Sequence, residues 1–209
     1  MRTMNKKPKI ILFDIDGVLL NLPYYFSEEI VKMGYKEAHN VLQEFYSSDA
    51  HKQSLLGKED LAKLVEPRLR EFGWEKSCEE YFNSLFEFES KFFDKDMISL
   101  VEGLRDRGID CMPCTDKTKI RFNFVLDNLK DVFVDGFASC NIGFLKTQEG
   151  FWEYAISNLK ERYPNIAPEE IAFFDDKQAN IDVSLKFGLN SFLFTGIEQF
   201  KKICRMYNL

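Results

Sequence analysis

Two pairs of aspartates, far apart in the chain, are the side chains best suited to do chemistry. Asp14 and Asp16 follow an apolar run in IILFDIDGVLL, and Asp175 and Asp176 follow another in IAFFDDKQAN. Carboxylates at the exit of a buried strand are costly to place there unless something uses them. If the two exits meet, these side chains would form a small acidic pocket, which suits a hard divalent cation such as magnesium.

The first pair has a spacing that suits phosphoryl transfer. Because Asp14 and Asp16 are two residues apart, both can face the same side of an extended segment, and Gly17 allows the chain to turn away sharply. One carboxylate could attack phosphorus as a nucleophile. The other, as a carboxylic acid, could protonate the leaving alcohol and then deprotonate the attacking water. The simpler interpretation is an Asp-Gly turn with two solvated aspartates.

The second pair repeats this arrangement of a strand followed by carboxylates. Ionised Asp175 and Asp176 repel each other, and a bound cation would relieve that repulsion. The alternative is that one of them caps the helix that begins near Gln178. The two roles are compatible.

A hydroxyl and a lysine supply groups that could bind a phosphoryl group. Thr115 precedes Asp116 and a predicted helix, and a hydroxyl with free backbone N–H groups at a helix N-terminus can bind a phosphoryl oxygen. Lys146 lies in a loop before a helix, where it could neutralise an anionic nucleophile and the transferring phosphoryl group. Taken alone, Thr115 or Asp116 could be a helix cap, and Lys146 could be a solvated surface side chain.

Alternating strands and helices would bring these residues to one place. Residues 9–14 predict a first strand covered on both faces, because their apolar run lacks the alternation of a half-exposed strand. From residue 109 onwards strands alternate with helices, which predicts right-handed crossovers and a parallel sheet. The predicted strands are 109–114, 132–138, 171–174 and 191–194, and the predicted helices are 117–129, 149–163, 178–187 and 197–206.

A helical tract separates the first strand from the rest of this pattern. Apolar residues recur at helical spacing over 35–46 and over 58–72, where Pro67 predicts a break or kink. Ser77 is predicted to cap a further helix, and Asp96 to cap the last helix of the tract. The predicted domains are a core of residues 1–20 and 99–209 and an inserted domain of residues 21–98.

Composition limits the classes of protein and partner. The net charge is −6 and no basic stripe is present, which argues against a nucleic-acid surface. No apolar run approaches the roughly 18 residues that span a bilayer, and no secretory signal is recognisable. The five cysteines are odd in number and lack a disulfide-framework spacing. We therefore expect a cytoplasmic protein without nucleic-acid or membrane partners; the sequence leaves its oligomeric state open.

The order of the motifs resembles the haloacid dehalogenase-like (HAD) hydrolase superfamily. The matching features are DIDGVLL, an apolar strand ending in Thr115, G-x-x-Lys146, and FFDD followed by Asn180 and Gly188. The resemblance covers the whole chain, and the insertion after the first motif resembles the cap of the phosphatase-type branch. It implies an α/β fold: a Rossmann-like parallel sheet with helices on both faces, an inserted all-helical cap domain, and the site at the carboxyl edge of the sheet.

The resemblance also implies a role for each carboxylate. Asp14 would be the nucleophile and a magnesium ligand. Asp16 would be the general acid/base, and its backbone carbonyl would bind the metal. Asp176 would be the direct acidic ligand, and Asp175 would bind the metal directly or through water.

The residues implied to bind phosphate are Thr115, Asp116 and Lys146. The Thr115 hydroxyl and the amide of Asp116 would hydrogen-bond the phosphoryl group, and Lys146 would pair with both the nucleophile and the phosphate. Asp116 departs from the family pattern, in which Asn is common at this position. An extra negative charge near a phosphate is unfavourable unless the side chain turns away or meets Lys117 or Lys119.

The sequence therefore predicts a magnesium-dependent phosphatase that hydrolyses a small phosphorylated metabolite, a sugar phosphate or a nucleotide, through an aspartyl-phosphate intermediate. A phosphosugar mutase uses the same motifs and stays open, whereas a dehalogenase would not need Asp16. A non-catalytic phosphate-binding protein with the same fold is another alternative. The last is a thiol redox protein, because Cys111-Met112-Pro113-Cys114 resembles a C-x-P-C motif.

Overall fold

Five parallel strands form the centre of the molecule, which the computed structural model describes over residues 6–133 and 135–209. They are β1 (Ile10–Phe13), β2 (Asp110–Thr115), β3 (Phe137–Ala138), β4 (Ile171–Asp175) and β5 (Asn190–Leu193). Their order across the sheet is β3-β2-β1-β4-β5. In register, Ile10 lies beside both Asp110 and Ile171. The predicted parallel sheet is confirmed, and the carboxyl ends of β1 and β4 lie side by side.

Helices cover both faces of this sheet because successive side chains of a strand point to opposite faces. Ile11 and Phe13 pack against α6 (Lys95–Asp106), α7 (Lys119–Asn128) and α11 (Ile197–Tyr207). Ile10 and Leu12 pack on the opposite side, with α9 (Glu149–Arg162) and α10 (Gln178–Lys186). One further turn, α8 (Ser139–Ile142), follows β3. The predicted α/β class, with helices on both faces, is confirmed.

The chain between β1 and α6, all of it described, forms five helices with a core of their own. Leu42, Val65, Trp74 and Tyr81 belong to this separate apolar cluster. We call this segment the helical insertion, and its two ends meet where Leu20 and Phe93 form an antiparallel bridge. Its helices are α1 (Phe26–Lys32), α2 (Ala38–Tyr46), α3 (Asp49–Leu55), α4 (Leu61–Glu71) and α5 (Cys78–Ser90). The domain boundaries near residues 21 and 98 stay a prediction.

One predicted helix cap is confirmed and another is wrong. Ser77 begins α5 with a capping box: its Oγ accepts the N–H of Glu80, and the Glu80 carboxylate accepts the N–H of Ser77. The last helix before β2 is capped by Asp94, whose Oδ1 accepts the N–H of Met97 at 2.9 Å. Asp96 instead lies in the first turn of α6, where its charge favours the helix dipole.

Three local features differ from the sequence prediction. Pro67 does not break α4: the Lys63 carbonyl, which loses its helical donor, lies on the exposed side, and a kink at this position stays a prediction. The strand predicted over 132–138 is only two residues long, since β3 pairs with β2 beyond Pro113, which has no N–H to donate; Val134 lies outside the described residues. The short helices α1 and α3 were not predicted. Every helix in the described ranges is too short or too polar to cross a membrane.

Candidate active site

The carboxyl ends of β1 and β4 bring the two aspartate pairs together. The N–H of Asp14 donates to the carbonyl of Phe174 at 2.9 Å, which fixes the end of one strand against the other. Asp14, Asp175 and Asp176 each present one carboxylate oxygen, and these oxygens lie within 4.8 Å of one another. Three hard oxygen donors at this spacing fit a divalent cation such as magnesium.

Lys146 supplies the positive charge at the centre of this group. Its Nζ lies 2.8 Å from Asp14 Oδ1 and 2.7 Å from Asp175 Oδ2, and all three side chains are buried. The indole of Trp152 donates to the Lys146 carbonyl at 2.8 Å and anchors the loop. Although burial disfavours its charged form, Asp14 and Asp175 hold the pKa of Lys146 well above its usual range. Lys146 is therefore a permanent ammonium group at this edge.

Burial and neighbouring charges have opposing effects on the pKa of Asp14. Burial raises the pKa of Asp14 to about 6, and the charges of Asp175 and Asp16 act in the same direction, while Lys146 opposes them. Its Oδ1 also accepts the N–H of Ile15 at 2.7 Å. A cation beside these carboxylates would favour the ionised form of Asp14, which is the nucleophilic form.

The two adjacent aspartates of β4 have different surroundings. Both oxygens of Asp175 are already bound: Oδ2 accepts from Lys146 Nζ and from Asn180 Nδ2 at 2.9 Å, and Oδ1 accepts the N–H of Lys177 at 2.8 Å. Asp176 is exposed. The Asp175 carboxylate is therefore held by three hydrogen bonds and fixes the position of Lys146. The exposed Asp176 carboxylate can bind an ion. Asn180 belongs to the matched FFDD motif, but its hydrogen bond to Asp175 was not predicted.

Gly17 makes room for the Asp176 carboxylate. Its φ of 78° is in the left-handed region that side chains rarely adopt. A Cβ atom at this position would collide with Asp176 Oδ2. The glycine after Asp16 is thus required both for the turn and for the close approach of the second acidic motif to the first.

Asp16 is paired with a lysine that sequence reasoning did not place in the site. Lys117 Nζ donates to both Asp16 oxygens, at 2.8 and 2.9 Å, and the lysine is buried whereas the Asp16 side chain is 44% exposed. Burial opposes ionisation of Asp16, but Lys117, and Arg121 beyond it, hold the pKa of Asp16 well below its usual range. The position of Lys117 directly after Thr115-Asp116, at the carboxyl edge of the sheet, is the signal that could have identified it.

Thr115 and Asp116 lie where β2 ends. Thr115 is buried at the last position of the strand. The Asp116 side chain binds the backbone of the Lys146 loop, because its Oδ1 accepts the N–H of Lys146 at 3.0 Å. Lys117, one of the two lysines expected to meet Asp116, binds Asp16 instead. Burial raises the pKa of Asp116.

The arrangement of Cys111 and Cys114 argues against a thiol redox pair. Both lie within β2, and their side chains belong to the two apolar layers on opposite faces of the sheet. Burial raises the pKa of Cys111 to about 12 and holds the pKa of Cys114 well above its usual range. Neither thiol forms a reactive thiolate near neutral pH, and the two cannot face each other.

Solved structures with the same fold include HAD enzymes and a dehalogenase. A HAD family enzyme from Bacteroides thetaiotaomicron, solved with magnesium, is 20% identical, with a TM-score of 0.72 over 96% of this chain and 100% of that one. The same enzyme was also solved with magnesium and inorganic phosphate. A predicted HAD-like hydrolase from Porphyromonas gingivalis is 18% identical (TM-score 0.69, 95% and 98% covered), and a dehalogenase is 15% identical (0.60, 88% and 83%). At these identities the likeness establishes the fold and not the substrate.

Sequence comparison identifies the family. No curated protein matches the chain. The profile of the haloacid dehalogenase-like hydrolases matches residues 8–188, a range that includes all four aspartates and Lys146. Because this match spans most of the sequence, the chain belongs to the haloacid dehalogenase-like hydrolase family.

Proposed function

We propose that the protein is a magnesium-dependent phosphatase that hydrolyses a small phosphorylated metabolite through an aspartyl-phosphate intermediate. The observation that carries this proposal is the Lys146 ammonium bound to both Asp14 and Asp175 beside the open carboxylate of Asp176. This arrangement combines a carboxylate nucleophile, a fixed positive charge and a set of oxygen ligands at one edge of the sheet. The magnesium and phosphate complexes of the Bacteroides enzyme support the same chemistry.

The acidic groups would share the binding of magnesium unequally. Asp14, Asp176 and the backbone carbonyl of Asp16 would hold the ion. Asp175 would act through water, because both of its oxygens already accept hydrogen bonds. When bound, magnesium offsets the negative charge of the phosphoryl oxygens and helps to orient them.

The reaction proceeds in two steps in this proposal. The Asp14 carboxylate attacks phosphorus, the bond to the leaving oxygen breaks, and Asp16 gives that oxygen a proton. Asp16 then takes a proton from water, the resulting hydroxide attacks phosphorus, and the bond to Asp14 breaks to release phosphate. Lys146 stays protonated throughout, and the Thr115 hydroxyl and the amide of Asp116 bind the phosphoryl oxygens.

The ion pair between Asp16 and Lys117 affects these two steps differently. An ionised Asp16 suits the second step, in which it accepts a proton from water. The first step needs a proton on Asp16, so its ion pair with Lys117 has to separate. Phosphoryl oxygens that enter the site would compete with Asp16 for the Lys117 ammonium, which provides a physical reason for that separation.

The helical insertion would act as a cap over the substrate. We call the carboxyl edge of the sheet, with Asp14, Asp16, Lys146 and Asp176, the catalytic edge. A cavity of about 820 Å³ lies between this edge and the insertion, and its size suits a small metabolite. Closing the cavity would exclude bulk water from the phosphoryl group. The presence of Asp16, for which a dehalogenase has no need, favours phosphate esters over halogenated acids.

Release of inorganic phosphate tests the proposal. The wild-type protein and Asp14→Asn are incubated with 4-nitrophenyl phosphate and a panel of phosphorylated metabolites, with magnesium or with a chelator. We expect magnesium-dependent turnover that falls at least about a thousandfold in Asp14→Asn, since the amide is not a nucleophile. The melting temperature of the variant serves as the control for folding. Unchanged turnover in Asp14→Asn, or chloride release from a haloacid without phosphate release, would contradict the proposal.

A further inference from the structure

Lys146 lies in a loop, so its backbone is not fixed by a strand or a helix. Residues 143–148 connect α8 to α9, and Lys146 stands in the middle of this connection. Leu145 and Gln148 exchange two hydrogen bonds of 2.8 Å, one of them through the Gln148 side chain, and so close the loop around Lys146. Ion pairs hold the ammonium group, but the backbone of Lys146 depends on anchors from other elements.

Asp116 anchors this loop to β2. Its Oδ1 accepts the N–H of Lys146 at 3.0 Å, across 30 residues of sequence. Lys146 is buried, so loss of this acceptor would leave a backbone N–H without water to replace it. Asp116 directly follows Thr115, the last residue of the strand. The hydrogen bond therefore joins Lys146 to the strand end that binds the phosphoryl oxygens in the proposed function.

Trp152 anchors Lys146 through its carbonyl group. The indole N–H donates to the Lys146 carbonyl at 2.8 Å, and the indole is fully buried in the first turn of α9. The Trp152 ring packs edge-on against Phe173 of β4, with 4.8 Å between the ring centroids. Phe173 precedes Asp175, which accepts from Lys146 Nζ, by two residues on the same strand. Both polar groups of the Lys146 backbone are thus bound by side chains from outside the loop.

We propose that Asp116 and Trp152 are positioning residues for Lys146, and that the Asp116 side chain acts as a hydrogen-bond acceptor and not through its charge. This inference rests on the proposed phosphatase function, in which Lys146 neutralises Asp14 and the phosphoryl group. Asp116 then fixes the separation of two phosphate-binding groups, because its amide is one of them and its side chain holds the other.

The acceptor role accounts for the departure of Asp116 from the family pattern. A carboxamide oxygen can accept the same backbone N–H as a carboxylate oxygen, so Asn and Asp are equivalent in this role. A second negative charge beside a phosphoryl group offers no advantage, because it repels the group that has to bind. The geometry therefore predicts that replacement of Asp116 by Asn preserves the position of Lys146, whereas truncation to Ala does not.

Kinetics with 4-nitrophenyl phosphate and inhibition by orthovanadate, both with magnesium, test this inference on the full chain. Vanadate binds as an analogue of the five-coordinate transition state, so its inhibition constant reports on the groups that surround the transferring phosphoryl group. The variants are Asp116→Ala, Asp116→Asn and Trp152→Phe, of which the last removes the indole N–H and keeps an aromatic ring.

Two control variants lose the same kinds of hydrogen bond away from the site. Asp60→Ala removes a carboxylate whose Oδ1 accepts the N–H of Ala62 at 2.9 Å. Trp74→Phe removes an indole that donates to the carbonyl of Ser77 at 3.2 Å. Both controls lie in the helical insertion, and neither residue lines the cavity. A purely structural role for Asp116 and Trp152 would make their variants behave like these controls.

We expect Asp116→Ala to lower kcat about 30–100-fold and to raise the vanadate inhibition constant by a similar factor, because a misplaced charge fails in the transition state. KM should change less than kcat. Asp116→Asn should recover all but about a fivefold loss. Trp152→Phe should lower kcat about tenfold, and the two controls should differ from the wild type by less than about twofold.

Melting curves establish that each variant is folded at the assay temperature. If Asp116→Ala or Trp152→Phe does not fold, the other variant is compared with its control in the same way, and the vanadate inhibition constant decides the result.

Two results would overturn the inference. The first is an equal loss of activity in Asp116→Ala and Asp116→Asn, which would mean that the charge of Asp116 is what matters. The second is a kcat and a vanadate inhibition constant in Asp116→Ala or Trp152→Phe that match those of the control. Either result leaves the phosphatase proposal intact as long as the wild type hydrolyses 4-nitrophenyl phosphate with magnesium. Failure of the wild type to release phosphate from this ester and from the panel of metabolites would overturn both proposals.

Discussion

The catalytic edge and the Glu89–Arg121 pair, which joins the helical insertion to the core, differ in how completely their buried charges are hydrogen-bonded. At the edge, Lys146 is bound to Asp14 and Asp175 at 2.8 and 2.7 Å. Glu89 and Arg121, which line the same cavity, also pair, but each keeps a buried atom without a partner among the described residues. A fully bonded group of charges is held in place, whereas a buried atom without a partner gains from a new hydrogen bond. The charges at the edge are therefore held in place by one another, whereas the Glu89–Arg121 pair leaves hydrogen-bonding capacity unused.

Loss of the Lys146 charge should destabilise the catalytic edge, with the largest expected effect on stability and activity. Lys146→Met leaves Asp14 and Asp175 buried without their counter-charge. Breaking a buried ion pair in this way costs about 3–5 kcal/mol of unfolding free energy. We expect that loss in urea unfolding at neutral pH without metal, together with a loss of phosphatase activity to the background level.

A matched lysine separates this effect from a general loss of positive charge. Lys160 lies exposed on α9, and Lys160→Met should change neither stability nor activity measurably. Equal unfolding free energies for Lys146→Met and Lys160→Met would contradict the view that the edge is held together by its buried charges.

Stability with and without magnesium should distinguish the role of Asp176 from that of Asp175. At a magnesium concentration about 100 times its Kd, binding to the folded state adds about 2.7 kcal/mol of stability. Asp176→Asn should remove most of this gain without destabilising the metal-free protein, because Asp176 is exposed. Asp175→Asn should destabilise the metal-free protein by about 1–3 kcal/mol, since Asp175 accepts from Lys146, Asn180 and Lys177.

Thermal unfolding with and without magnesium measures both effects. The wild type and both variants are compared with Asp96→Asn, a change of the same kind at an exposed position on α6. If Asp176→Asn keeps the full magnesium-induced rise in melting temperature while Asp175→Asn loses it without a change in the metal-free protein, the assignment of the direct ligand is reversed.

The position of the acidic residues at the catalytic edge could be predicted from the sequence, because each pair directly follows a strand. Apolar runs without alternation identify β1 and β4, and parallel strands place their carboxyl ends at one edge. That is enough to predict that Asp14, Asp175 and Asp176 converge. Lys146 was identified as part of this set by its place in the motif order, and its two ion pairs agree with that placement.

The Glu89–Arg121 pair and the lysine partner of Asp16 could not be predicted in the same way. Lys117 and Asp16 are 101 residues apart, and Arg121 and Glu89 are 32 apart on different helices. The first contact depends on how the segments after β1 and β2 approach each other, and the second on how the insertion packs on the core. A hydrophobic period carries no information about either. A single lysine or glutamate on a helix is most often solvated, so its sequence position alone does not distinguish a buried ion pair from a surface charge.

Close approach between the two acidic motifs can be tested at Gly17. Gly17→Ala places a Cβ against Asp176 Oδ2 in a left-handed backbone conformation. Gly73→Ala is the control, because Gly73 has a similar φ of 80° and open space around its Cβ position. Both variants should lose about 1–2 kcal/mol from backbone strain. Only Gly17→Ala should also weaken magnesium binding, by about 10–100-fold, because it displaces a ligand.

Titration of magnesium against activity and against melting temperature provides the readout for this pair of variants. Equal magnesium dependence in Gly17→Ala and Gly73→Ala would show that the turn matters for stability but that the position of Asp176 does not matter for the metal.

The smallest effect concerns the junction at which the insertion returns to the core. Asp94 caps α6, which packs on the sheet, and its Oδ2 also accepts from Asn21 Nδ2 at 3.2 Å, so it ties the two ends of the insertion together. Asp94→Ala should cost about 1 kcal/mol of unfolding free energy, the usual value for a lost N-cap. Asp96→Ala should cost less, because Asp96 contributes only through the helix dipole.

Urea unfolding of the two variants at low ionic strength measures the difference. A larger loss for Asp96→Ala would mean that α6 begins later than residue 95, and that the boundary between insertion and core lies closer to residue 98, as the sequence predicted.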